Sequence, residues 1–141
     1  VALEAFSQSW VEAWADQLNA SPAYRAAAES WEGAVALVLD DPDPAACRAV
    51  LLDLWHGACR SAGTTNPEVA RDAATYLFQG GLEGWRHVLC EGGSPVMALL
   101  TGKIRLVKGS LTALLPYAAA AKELLGLAGK VPTEFSGDAE G

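Results

Sequence analysis

Residues 34–39 are wholly apolar, and Asp40-Asp41-Pro42-Asp43-Pro44 follows at once. Six residues are too few for a self-standing helix or a membrane span, and two prolines cannot sit inside a helix or a paired strand. The run therefore reads as a buried strand ended by a turn, and an all-helical chain is excluded. Before it the period is helical. Phe6, Trp10, Ala13, Trp14 and Leu18 recur at steps of three and four with Glu4, Glu12 and Asp16 between them, the pattern of an amphipathic helix. Ser21 is placed to cap, and Pro22 to fill the first position of, a second helix carrying Tyr24, Ala27, Ala28 and Trp31, which Gly33 ends.

After the prolines, residues 49–55 set Val50, Leu52 and Leu54 against Leu51, Asp53 and Trp55, a second buried strand. His56-Gly57 is a tight-turn pair leading into a short, weak strand at residues 58–62. Residues 63–67 read as a loop, and residues 73–78 as a fourth strand with Tyr76 and Phe78 on one face. The period then becomes helical again. Leu82, Trp85, Val88 and Leu89 form one helix stopped by Gly92-Gly93, and Ser94-Pro95 opens another, ended by Gly102. Residues 103–108 alternate as a fifth strand, its basic side chains facing water. Leu111, Leu114, Leu115, Ala118, Ala121, Leu124 and Leu125 mark a last helix that Pro116 starts or kinks and that Gly126 and Gly129 end. The order implies an α+β domain over residues 1–130 with helices on one face of a sheet, and a tail at residues 131–141 with one anchor, Phe135.

The chemistry that is missing narrows the function. Of the 141 residues 51% are apolar and 19% charged, which excludes a disordered body. A net charge of −7 repels a phosphate backbone, so no nucleic-acid partner is expected. Cys47, Cys59 and Cys90 have no close pairing and read as reduced thiols of a cytoplasmic protein, and Val1-Ala2-Leu3-Glu4 shows no basic leader. His56 and His87 are the candidate bases, and both read as turn or surface residues. Gly102-Lys103 fails as a phosphate loop, because Met97 stands where the first glycine belongs and Ile104 replaces the Ser or Thr. Gly80-Gly81-Leu82-Glu83-Gly84 lacks the dinucleotide spacing, no GxSxG occurs, and Asp40, Asp41 and Asp43 read as a solvated turn. No catalytic residue, cofactor or metal is expected.

What remains is bulky apolar content on short helices broken by glycine. Trp85, Leu89, Met97, Leu100, Leu114 and Leu115 either fill a core or line an apolar cavity, and composition leaves both open. Phe78-Gln79-Gly80 closes a strand, Trp85 lies in a helix and Pro95 marks a corner. Then come Ala98-Leu99-Leu100-Thr101-Gly102-Lys103 and the strand Ile104-Arg105-Leu106-Val107-Lys108-Gly109. Together these make residues 72–125 resemble the second half of the sterol carrier protein 2 family. Trp31-Glu32-Gly33 and Asp53-Leu54-Trp55-His56-Gly57 agree in order in the first half, so the resemblance covers most of the chain. It departs at Gly109-Ser110, where the family has Gly-Asp, and at Pro116.

The resemblance implies five mostly antiparallel strands backed by helices around a hydrophobic tunnel that binds a fatty acid, acyl-CoA or sterol-like molecule. The expected lining is Leu52, Leu54, Leu77, Trp85, Leu89, Met97, Leu100, Ile104, Leu106, Leu111, Leu114, Leu115 and Ala118, with Lys103, Arg105 or Lys108 meeting an anionic head. Burying about 14 methylenes at roughly 0.8 kcal/mol each gives on the order of 11 kcal/mol before the costs of association. The expected partners are thus a lipid or other long apolar molecule and, transiently, a membrane, for a monomer or weak homodimer. The other reading is an interaction or dimerisation module with a filled core, docking another chain through residues 111–125.

Overall fold

The computed structural model describes residues 3–40, 48–90 and 95–134. The turn after Asp40, Cys47, the Gly92-Gly93-Ser94 corner, the Cys90 side chain and Phe135 lie outside the described residues. The elements are β1 (Leu3–Glu4), α1 (Gln8–Asn19), α2 (Pro22–Ala27), β2 (Glu32–Leu39), β3 (Arg48–Trp55), β4 (Ala58–Thr65), α3 (Pro67–Ala73) and β5 (Tyr76–Gly80). Then follow α4 (Leu82–Cys90), α5 (Pro95–Thr101), β6 (Ile104–Lys108), α6 (Leu111–Leu114), a 3-10 turn (Leu115–Tyr117), α7 (Ala118–Ala128) and β7 (Thr133–Glu134). No helix among the described residues is long and apolar enough to cross a membrane.

Five strands form one α+β sheet in the order β4-β3-β2-β5-β6, antiparallel except for the parallel β2–β5 pair. That pair is the crossover a βαβ connection demands, and α3 is its helix. Alternation sends Val35, Leu37, Val50, Leu52, Phe78 and Ile104 to one face, where α1, α2 and α4 to α7 build the main core. Ala36, Val38, Ala49 and Leu77 point the other way, onto Ala70 and Ala74 at α3.

Helix α3 corrects the expected loop at residues 63–67 and the strand begun at residue 73. Asn66 caps it, accepting a hydrogen bond from the Val69 N–H at 2.9 Å, and Pro67 fills its first turn. It also corrects the expectation of helices on one face only, because its alanines cover the second face. Strand β4 is longer than expected, since it pairs with β3 along its length and α1 covers its outer edge. Gln8 Oε1 accepts from the Thr64 N–H at 3.0 Å, and Asn19 exchanges two bonds with the Cys59 backbone at 2.8 and 3.1 Å. The ends of α1 thereby satisfy edge groups that would otherwise recruit another strand.

Phe6 precedes α1 instead of opening its stripe, at φ 62°, and stacks on Trp10 at 5.2 Å. Gly33 lies inside β2, and Gly126 inside α7. His56 and Gly57 both have positive φ, as a two-residue hairpin turn requires. A Cβ on Gly57 would sit 2.7 Å from the Arg25 carbonyl oxygen, so the position is closed to side chains. His56 is held there by Nδ1 against the Glu29 carbonyl at 2.7 Å and Nε2 against Glu32 at 2.8 Å. Past Lys130 the chain stays on the body: Val131 is buried, and Thr133–Glu134 pairs in parallel with Leu3–Glu4.

Two buried polar groups under α2 generate predictions. The Tyr24 hydroxyl is fully buried with no hydrogen-bond partner among the described residues. Tyr24→Phe removes that desolvation cost and is expected to raise stability by about 1 kcal/mol in urea unfolding. Burial, and then the Asp53 charge, push the Cys59 thiol from 9.0 up to about 11. The unfolded chain loses that proton first, so stability present below pH 9 falls as the pH rises toward 11, by about 2 kcal/mol from this group. Cys59→Ala should flatten that alkaline loss, which unfolding midpoints measured at pH 8 and 11 will show.

Candidate functional site

One cavity of about 170 Å3 lies between the main face of the sheet and the C-terminal helices. Leu37, Phe78 and Ile104 from β2, β5 and β6 form its floor, Leu99 and Leu100 of α5 one wall, and Leu114 and Leu115 another. Ala118, Ala121, Lys122, Leu124 and Leu125 of α7 complete it. Local sequence explains the opening. Gly102, at φ 79°, stops α5 after two turns, and α6 has four residues. Pro116 has no N–H with which to continue α6, so a 3-10 turn intervenes before α7. Three short pieces cover the floor less completely than one long helix would. Ala118 and Ala121, one turn apart, place methyl groups where α7 passes over the gap.

Leu100, Ile104, Leu114, Leu115 and Ala118, among the residues expected to line a tunnel, do line this cavity. The other expected residues lie elsewhere, for identifiable reasons. Leu52 and Leu54 are fully buried on β3, a strand beyond the floor, and Leu77 faces α3 on the opposite side. Trp85 is core: its indole N–H donates to the Val38 carbonyl at 2.9 Å and its ring meets Phe6 edge-on at 5.6 Å. Leu89 is buried in the same core, Leu106 packs against it, and Met97 is 54% exposed outside the wall. The Leu111 side chain lies outside the described residues.

The sequence reading missed Leu37, Phe78, Leu99, Ala121, Lys122, Leu124 and Leu125. For α7 the signal was present: Ala118, Ala121, Lys122 and Leu125 fall at i, i+3, i+4 and i+7, one helix face. Among the described residues, Lys122 is the only charged one in the wall, and it has no ion-pair partner there.

The three cations expected to meet a ligand head do not line the cavity. Val107 is an extra residue opposite the Leu77-Phe78 step, a bulge that turns Lys108 to the α3 side. There Lys108 Nζ donates to the Arg71 and Asp72 carbonyls at 2.6 and 3.3 Å. Arg105 pairs with Asp40 at 3.1 Å, and Gln79 also donates to Asp40. Lys103 is exposed on the turn after α5. Among the described residues the wall contains no serine, cysteine, histidine or carboxylate. No group of three potential metal ligands occurs among the described residues.

An open α+β sheet roofed by short helices over an apolar cavity is the class of architecture these residues build. Comparison with solved structures makes the assignment specific. A crystal structure of a sterol carrier protein 2 shares 43% identity with this chain at a TM-score of 0.81, covering 90% of this chain and 98% of its own. The solution structure of a conserved hypothetical protein from Thermus thermophilus shares 43% identity at a TM-score of 0.79, covering 92% and 90%. The apo form of Sterol Carrier Protein 2 from Yarrowia lipolytica, at 16% identity and a TM-score of 0.54 over 83% and 87%, shares the fold. No protein-family model and no curated protein matches the chain. The chain belongs to the sterol carrier protein 2 family, on its identity to a member across nearly the whole of both chains.

A wall of small residues can be filled. Ala118→Phe places a ring inside the cavity and is expected to raise thermal stability by about 1 kcal/mol through new apolar burial. Loss of stability would show that the space is too tightly walled to take it.

Proposed function

We propose that this chain binds a long apolar molecule, a fatty acid, acyl-CoA or sterol-like compound, in the cavity and carries or holds it in the cytoplasm without acting on it chemically. The apolar wall with a single cation supports this reading most directly. So does the nature of the relative, a sterol carrier protein 2. The wall lends itself to binding by burial: it offers apolar contact throughout and one positive charge for an acidic head.

A cavity of roughly 150 Å3 with a similar lining holds a benzene-sized molecule, whereas sites for larger ligands run from roughly 300 Å3 upward. At about 170 Å3 the cavity takes a short section of chain. A tunnel for a full acyl chain therefore requires displacement of the roof. The break at Pro116 supports α6 and the 3-10 turn as the moving part, with Leu114 and Leu115 closing over the bound chain.

Native mass spectrometry of the purified protein, followed by solvent extraction, tests the reading. A stoichiometric fatty acid, sterol-like molecule or acyl thioester supports it. Bare protein that also ignores added tetradecanoic acid and tetradecanol overturns it in favour of a filled interaction module. Titration with the same two probes tests the head group. The acid should bind about 2- to 5-fold more tightly than the alcohol at low salt, the value of one exposed ion pair. Lys122→Met should abolish that difference and leave alcohol binding intact.

A further inference from the structure

We propose that Tyr117 sets the chain-length preference of the cavity, as a latch that long ligands must break and short ones need not; the inference rests on the binding reading above. Neither the 3-10 turn nor α7 after it has a side-chain cap, so no capping bond fixes this part of the roof. An aromatic contact does. The half-buried Tyr117 ring lies on Trp31 at 5.8 Å, with the two planes 12° apart.

Trp31 is a rigid platform for that contact. It is buried, its N–H donates to the Ala28 carbonyl at 2.9 Å, and its carbonyl accepts from the His56 N–H at 2.9 Å. Tyr76 flanks its ring at 6.1 Å. The His56 imidazole ties down the same segment through the Glu29 carbonyl and the Glu32 carboxylate, at 2.7 and 2.8 Å. The cavity floor belongs to the paired sheet, and the Trp14 indole N–H donates to the Leu124 carbonyl of α7 at 2.9 Å. The stack thus joins a fixed platform to the roof piece that follows Leu114 and carries Leu115. Tyr117 itself is not in the wall.

Size gives the stack its role. About 170 Å3 accepts about six carbons with the roof in place, as roughly 150 Å3 accepts benzene. A chain of about 14 carbons requires the roof displaced. Tyr117 and Leu115 share one three-residue turn, so moving that turn off the floor separates the two rings. The open state is then disfavoured by the value of one aromatic pair, roughly 3- to 10-fold, and the affinity for long ligands falls by that factor. A short ligand leaves the stack intact and is bound without that loss.

Titration of hexanol and tetradecanol, both uncharged, into wild type, Tyr117→Ala, Tyr117→Leu and Tyr117→Phe tests the latch. Tyr117→Ala is expected to bind tetradecanol roughly 3- to 10-fold more tightly than wild type and hexanol equally well. Tyr117→Leu keeps an apolar side chain without the stack and should do the same; it carries the test if the alanine variant fails to fold. Tyr117→Phe keeps the ring and should behave as wild type. Ringless variants that bind both alcohols as wild type does, or that weaken both alike, overturn the proposal. Amide hydrogen exchange without ligand separates the latch from the binding reading. Exchange over residues 111–117 should quicken by a similar factor in Tyr117→Ala while that of β2 holds. Unchanged exchange there overturns the latch even where the alcohols bind. Faster exchange in a protein that takes up neither alcohol keeps the latch and overturns the cavity reading.

Discussion

Three fully buried indoles impose the condition around which the rest of the chain is arranged. Trp10, Trp14 and Trp85 are each fully buried, and each N–H must find an acceptor or cost the fold dearly. Each finds one on a different element, all at 2.9 Å: Trp10 on the Thr133 hydroxyl, Trp14 on the Leu124 carbonyl, Trp85 on the Val38 carbonyl. With Phe6 between Trp10 and Trp85 they form one aromatic row through the core. The row fixes α4 to the sheet, α7 to α1, and the last described strand to the body. The bond from Trp14 therefore holds the α7 residue whose side chain walls the cavity, while the 3-10 turn is held by Tyr117 stacking on Trp31 at 5.8 Å.

Much of this fold was legible because Gly, Pro and apolar period punctuate it clearly. The run at residues 34–39, the His56-Gly57 turn and the start of α5 at Pro95 all read from local chemistry. Helix α3 did not, although Asn66-Pro67 repeats the cap-and-proline signature of Ser21-Pro22. It is a seven-residue helix whose buried face is alanine, so the apolar stripe that announces a helix is absent. β4 was undervalued for a related reason: its small and polar residues gain their place from β3 across the hairpin and from α1, which is distant in sequence.

The site was legible in part, and the limit is physical. Leu52 and Leu115 carry the same side chain, and nothing local distinguishes a leucine packed on β3 from one left 61% exposed at an opening. Periodicity places residues on a face, but the face of α7 toward the cavity is also the face toward the core. The cations show the opposite limit. Strict alternation would keep Lys108 with Ile104 and Leu106, and one extra residue, Val107, sends it across the sheet. A bulge depends on pairing partners, so single-strand patterning does not reveal it.

Retaining the cavity costs stability. The apolar side chains around it lack contacts that a closely packed core would give them, and a domain is stable by only roughly 5–15 kcal/mol. Replacing Ala118 and Ala121 by larger apolar residues would supply part of those contacts. An apolar guest restores the missing contacts and stabilises the folded chain in proportion to its free concentration over its dissociation constant. Under the proposed function, the same deficit that weakens the empty protein favours binding. The bond from Trp14 to the Leu124 carbonyl ties α7 to α1 beside the cavity, so that wall is fixed to the aromatic row.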